Sequence, residues 1–234
     1  MKFQKLGLLF LLFTLFSVQM VAQNGCTAYF PFEEGTQLGY SYFNKKGKLE
    51  SKSFHLVEEI SQEGDGSVKA MMKVVNQDKK GKELSEANYI VFCKNNELEM
   101  DISSILTPAM TASMESMELT VSGDSFKLPS NLKTGQELPD THTEIQVGMN
   151  GMSLINMEIN HTNRLVELKE SVSTEAGTFE CYKLSHDVNI KMIIQKSYHV
   201  ITWYNEKVGM VKQETYNKRN KLESKTELSE YKKG

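Results

Sequence analysis

The residues of this chain that could do chemistry are five histidines, three cysteines, several paired acids and a group of methionines. The histidines are scattered and form no H-E-x-x-H pair, and no G-x-S-x-G elbow is present. Because hydrolysis needs an activated nucleophile with a base in reach, this spacing predicts no catalytic centre. The acid pairs Glu33-Glu34 and Glu58-Glu59 would serve glycoside hydrolysis only across a cleft rich in aromatic side chains, yet Trp203 is the single tryptophan. We therefore expect no enzyme activity.

The three cysteines allow three single disulfides and always leave one thiol unpaired. We favour a Cys26–Cys93 disulfide, because Cys181 lies in a short alternating strand and is typical of a buried thiol. The alternative for Cys26 is lipidation as the N-terminal residue of a lipoprotein. No C-x-x-C spacing is present, and the sequence predicts neither a metal nor a cofactor.

Three methionines, Met110, Met114 and Met117, recur at the helical period. Thioether side chains fill irregular cores, and they also line adaptable apolar pockets. The Met114-x-x-Met117 spacing is compatible with Cu(I), but core packing and pocket lining are the stronger interpretations. Our hypothesis is that these methionines line a pocket for an apolar ligand.

A repeated basic turn is the strongest internal pattern. Asn44–Ser53 and Asn217–Thr226 match at nearly every position, and Asp78–Lys82 repeats the first half. Asn or Asp suits the first turn position, and the fourth position requires positive φ, so each segment predicts a hairpin with a bulge. If the three tips share one end of a sheet, they form a basic rim that could meet phosphate or carboxylate groups; the alternative is that the charges are simply solvated. The candidate rim residues are Lys45, Lys46, Lys79, Lys80, Lys218 and Arg219.

The elements that must position these residues are mainly β-strands. Alternating segments rich in β-branched and aromatic residues predict strands at 39–43, 68–74, 88–93, 179–184 and 193–204. Residues 102–106 and 108–116 follow the helical period, with Thr107 as N-cap and Pro108 in the first turn. The predicted fold is a large curved antiparallel sheet or open barrel, with one or two short helices on its concave side.

The N-terminus predicts export. Lys2 and Lys5 precede an apolar run from Leu6 to Phe16, which is too short for a permanent membrane span and is followed by the small Ala22. We interpret residues 1–22 as a signal peptide and 23–234 as one β-rich domain, with 23–128 and 141–234 as alternative halves. Removing the leader shifts the formal net charge from −3 to −5, because it carries two lysines and no acid. This balance gives no support to nucleic-acid binding, and no later segment has membrane-spanning length.

Three segments resemble a family of secreted proteins of Gram-negative bacteria. The matching stretches are 29–36, 174–183 and 203–212, and Glu175 stands where a proline is commoner. The family resembled is labelled TapB or grouped with domain-of-unknown-function β proteins. The resemblance implies an envelope-localised, sheet-dominated domain and assigns no catalytic residues.

These observations predict a non-catalytic cell-envelope protein, periplasmic or otherwise exported, that binds an apolar or lipid-like ligand. The alternative is a module that binds another envelope protein through sheet edges or basic tips.

Overall fold

The computed structural model describes residues 29–100, 118–149 and 152–234 and places most of them in β-strands. No helix occurs within these ranges. The strands are β1 Gln37–Asn44, β2 Leu49–Gln62, β3 Val68–Asp78, β4 Glu83–Lys94, β5 Glu97–Met100, β6 Glu118–Gly123, β7 Phe126–Pro129, β8 Glu137–Leu138, β9 Thr141–Met149, β10 Met152–Thr174, β11 Gly177–Lys191, β12 Gln195–Asn205, β13 Gly209–Asn217 and β14 Leu222–Lys232.

Several sequence-based predictions fall outside the described residues. The signal peptide 1–22, Cys26, both predicted helices and all three candidate pocket methionines, Met110, Met114 and Met117, belong to this group. They stay predictions.

All fourteen strands belong to one antiparallel sheet. Its order is β6-β9-β10-β11-β12-β13-β14-β1-β2-β3-β4-β5-β7, and β8 pairs with β10 beside this path. Over the described ranges the sheet is open, with β6 and β7 at its two ends. The predicted large antiparallel sheet is confirmed, in its open form.

Period-two alternation explains how each strand faces the core. In β9 the buried Thr141, Thr143, Ile145 and Val147 alternate with outward-facing residues such as His142. An antiparallel sheet with one packed face and one solvated face requires this pattern.

The sheet curls until one end packs on its own inner face. Leu128 of β7 and Leu138 of β8 join Val166 of β10 and Leu184 of β11 in one buried cluster. Arg164 strengthens this contact by donating to the backbone carbonyl oxygens of Lys127, at 2.6 Å, and Pro139, at 2.7 Å. The curl therefore encloses space between the two halves of the sheet.

The three predicted basic turns have the expected conformation. The first turn residues, Asn44, Asp78 and Asn217, each accept two backbone N–H bonds on a side-chain oxygen. The fourth residues have positive φ, +69° at Gly47, +84° at Gly81 and +54° at Asn220. The bulged-hairpin prediction is confirmed.

These turns lie at one end of the sheet, which we call the tip end. β13, β1 and β3 are each separated from the next by a single antiparallel strand, so they run in the same direction. Their C-terminal ends carry the three basic turns. The same rule places the start of β10 and the β11–β12 connection at the tip end.

The strand predicted at 193–204 begins later in the structure. β12 begins at Gln195 and not at Ile193, so Ile193 and Ile194 lie in the connection between β11 and β12. β-Branched residues favour strands, but here Lys191 pairs with Gln195, so residues 192–194 form the loop that closes the β11–β12 hairpin.

Candidate functional site

A cavity of about 410 Å³ lies against the inner face of the curled sheet. It is bounded by three buried clusters: one contains Tyr29 and Leu128, the second Phe30, and the third Leu38 and Tyr40. Residues of all three clusters therefore line it.

The wall is dominated by aromatic and aliphatic side chains from strands distant in sequence. Its apolar residues include Phe30, Leu38, Val74, Ala87, Leu98, Met100, Phe126, Leu128, Val208 and Met210. Alternate residues of β1, namely Leu38, Tyr40 and Tyr42, all face it because residues two apart share one face of a strand. Such a surface is suited to an apolar ligand.

A chain of neutral polar groups runs along one side of the wall. The Tyr42 hydroxyl lies 2.9 Å from Ser53 Oγ, which lies 2.8 Å from His55 Nε2, and His55 Nδ1 lies 2.9 Å from the Tyr89 hydroxyl. Burial lowers the pKa of His55 to about 4, so its imidazole is neutral near pH 7. The chain satisfies its own members and places no charge on the cavity.

The tyrosines of the wall also remain neutral. Burial raises the pKa of Tyr40 well above its ordinary value and that of Tyr204 to about 12. The Tyr40 hydroxyl donates to the backbone carbonyl of Met210 at 3.0 Å. Asn88 and Gln213 add a few polar atoms to the lining, which is the usual means by which an apolar pocket orients a ligand.

A second polar cluster lies behind Phe126. The Arg164 guanidinium carbon lies 4.6 Å from the Phe126 ring centroid, and the rings of His161 and His186 lie 5.2 Å apart, centroid to centroid. Burial lowers the pKa of His161 to about 4 and that of His186 to about 3, and the neighbouring Arg164 charge acts in the same direction. Arg164 holds β7 in place through its contact with the Lys127 carbonyl, so this cluster supports the wall from outside the cavity.

The cysteines have distinct states. Cys181 is a free, fully buried thiol, as predicted, and burial raises its pKa to about 12. Cys93 is disulfide-bonded. Because Cys26 lies outside the described residues, the Cys26–Cys93 pairing stays a prediction.

The sequence predicts an apolar pocket lined by methionines but not this aromatic lining, because its residues come from strands far apart in the chain. The signal that could have found it is the run of alternating inward positions Leu38, Tyr40 and Tyr42. The structure brings the six candidate rim residues to one end of the sheet but does not test their role.

Two further observations concern only the described part of the chain. It contains no cluster of three or more His, Cys, Asp or Glu side chains arranged to hold a metal ion. It also contains no helix long and apolar enough to cross a membrane.

Solved structures share this fold. A predicted exported protein with a YmcC-like fold from Bacteroides fragilis is 24% identical, with a TM-score of 0.68 over 89% of this chain and 100% of its own. A predicted lipoprotein from Parabacteroides distasonis is 23% identical, with a TM-score of 0.68 over 88% of this chain and 99% of its own. At these identities the likeness concerns the fold alone.

The comparison with curated proteins found no significant match. The comparison with protein families matched DUF3108-like over residues 33–228, which is most of the chain. This match supports the expected domain-of-unknown-function grouping, whereas the narrower TapB label stays a prediction. The chain belongs to the DUF3108-like family.

Proposed function

We propose that this protein is a non-catalytic exported protein that binds an apolar, lipid-like molecule in the cavity of its curled sheet. The observation that carries the proposal is the wall itself, which is built from aromatic and aliphatic side chains and encloses about 410 Å³. That volume lies within the range of small-ligand sites, about 300–1,000 Å³.

The chemistry of the polar wall groups favours binding over catalysis. His55 is the histidine of the lining, and burial keeps it neutral with both ring nitrogens engaged by Ser53 and Tyr89. A general base needs a pKa near the working pH, and the pKa of about 4 is well below it. The wall therefore binds a ligand through shape and apolar contact, and its few side-chain amides orient that ligand.

The cell envelope is the proposed location. The leader-like residues 1–22 support export, and the two similar folds belong to proteins described as exported or as a lipoprotein. The alternative is a lipoprotein that is held in the same envelope by lipidation at Cys26.

A second candidate function is a protein-interaction module. The observation that favours it is the open sheet, in which β6 is hydrogen-bonded to β9 and forms one end of the strand order. An unpaired strand edge can accept a strand from another protein.

Native mass spectrometry of gently purified protein distinguishes the two candidates. The cavity proposal predicts a retained apolar molecule of low mass that is released by organic solvent. A protein partner retained in its place, with no small molecule in any preparation, would favour the interaction module.

A further inference from the structure

The tip end carries two kinds of exposed side chain, apolar and basic. The β9–β10 and β11–β12 connections lie on one side of the sheet order, followed by the β13–β14, β1–β2 and β3–β4 turns. Exposed apolar side chains lie at the start of β10 and in the β11–β12 connection, and the three basic turns carry exposed lysines and an arginine.

The apolar side is unusually exposed for a soluble domain. Met192, Ile193 and Ile194 of the β11–β12 connection are 47%, 100% and 72% exposed. Met152 and Leu154 at the start of β10 are 64% and 50% exposed. Large apolar side chains concentrated on one surface mark an interaction site more often than chance exposure.

These two apolar segments are neighbours. The register of β10 with β11 ends, toward the tip end, at the pair Glu158↔Lys191. Residues 152–155 therefore extend past that pair on the same side as residues 192–194, which follow Lys191 directly. Met152, Leu154 and residues 192–194 are together called the apolar tip.

The basic side carries nine cationic residues at the three turns. All nine are exposed, and among the described residues none forms an ion pair. They are Lys45, Lys46, Lys48, Lys79, Lys80, Lys82, Lys218, Arg219 and Lys221. Because the whole chain has a net charge of −3, this end is a local concentration of positive charge on an acidic protein.

We propose that the tip end docks on the surface of an anionic lipid membrane. The apolar tip enters the boundary between headgroups and acyl chains, and the basic turns beside it contact lipid phosphates. An apolar projection flanked by cations is complementary to an anionic bilayer surface, where burial of apolar area and attraction to charged headgroups act together.

One side of the cavity lies close in sequence to the basic turns of the tip end. Tyr42 and Asn76 line the cavity and lie two residues before the basic turns that begin at Asn44 and Asp78. Docking at the tip end thus brings this side of the cavity toward the lipid. That consequence rests on the proposed ligand-binding function, whereas the docking itself does not.

The first test is flotation of the processed, exported chain with vesicles of phosphatidylcholine alone or mixed with phosphatidylglycerol. We expect binding to the mixed vesicles and a loss of roughly tenfold or more in the double variant Ile193→Ser/Ile194→Ser. The matched control is Leu168→Ser, because Leu168 is 38% exposed but lies toward the opposite end of β10. Equal binding of the double variant and the control would overturn the proposal.

A second pair of variants tests the contact between the basic turns and lipid phosphates. Each lysine removed from the basic turns should weaken binding roughly fivefold at low salt, so Lys45→Gln/Lys46→Gln is expected to lose more than tenfold. Lys207→Gln is the control, because Lys207 is exposed at the β12–β13 turn of the opposite end. Equal binding to vesicles with and without phosphatidylglycerol would overturn the assignment.

A probe at the tip separates this docking from any anchor near the N-terminus. An environment-sensitive fluorophore on Ile193→Cys should shift to shorter wavelength with the mixed vesicles, whereas the same label on Lys207→Cys should not. Cys181 is fully buried, and labelled wild type supplies the background. Flotation of the Ile193→Cys protein without a spectral shift would show that another part of the chain, or a lipidated Cys26, holds it to the membrane.

Discussion

Substitutions at the fourth residue of each basic turn test whether the turn requires positive φ at that position. At Gly47, φ is +69°, and a Cβ there would meet no atom within 4 Å. The cost of Gly47→Val is therefore backbone strain alone, and we expect a loss of about 1–3 kcal/mol in the free energy of unfolding. Asn220→Gly should be neutral or mildly stabilising, because Asn220 already has positive φ. Chemical denaturation measures both; a Gly47→Val protein as stable as wild type would contradict the turn assignment.

The buried histidines make stability depend on pH. His161 and His186 have pKa values of about 4 and about 3 in the folded protein, below the ordinary 6.5, because burial disfavours their charged forms. The unfolded chain therefore binds more protons, so stability is present above pH 6.5 and is lost as pH falls toward the folded pKa values. Each pKa unit corresponds to about 1.4 kcal/mol.

Replacing one of these histidines should flatten that dependence. We expect His186→Phe to lose less stability than wild type between neutral pH and pH 4, measured by chemical denaturation at each pH. His142→Phe is the control, since His142 is an outward-facing residue of β9. Equal pH slopes for wild type and His186→Phe would show that the cluster does not carry the effect.

At the scale of elements, Arg164 fixes the curl by joining β10 to β7. Arg164→Met removes both contacts to the carbonyls of Lys127 and Pro139, and we expect about 1–3 kcal/mol of destabilisation. Hydrogen exchange should accelerate first in β5 and β7. The control Lys127→Met keeps its backbone carbonyl and should stay near wild type. Uniform exchange across the sheet in Arg164→Met would contradict a local role.

Local chemistry explains which elements were predictable. The three basic hairpins follow from Asn or Asp at the first turn position and a residue that tolerates positive φ at the fourth, so both signals lie within five residues. The predicted strand start at Ile193 is two residues early, because Lys191 pairs with Gln195 and residues 192–194 close the hairpin between them. The cavity depends on the contact of β7 with β10, and no local sequence pattern in either strand predicts that contact.

At the scale of the whole molecule, one curled sheet carries two surfaces with different chemistry, its inner face and its tip end. Its inner face holds the cavity, with neutral polar groups and aromatic walls, while its tip end gathers basic and apolar turns. The cavity follows from the curl of the sheet, and the gathering of the turns at one end follows from strand direction. The predicted methionine pocket at 110, 114 and 117 lies outside the described residues, so the aromatic cavity is the site that the structure supports.

The central claim is that the cavity holds an apolar ligand, and filling it tests this most directly. Ala87 lines the cavity and is buried, so Ala87→Phe projects a ring into the space that a ligand would occupy. The control on the same strand is Leu84→Phe, where the side chain is 61% exposed. Titration with a fluorescent fatty acid, after delipidation and a check of folding, should show binding by wild type and Leu84→Phe and at least roughly tenfold weaker binding by Ala87→Phe. Equal affinity of all three proteins, or no binding by wild type, would contradict the claim.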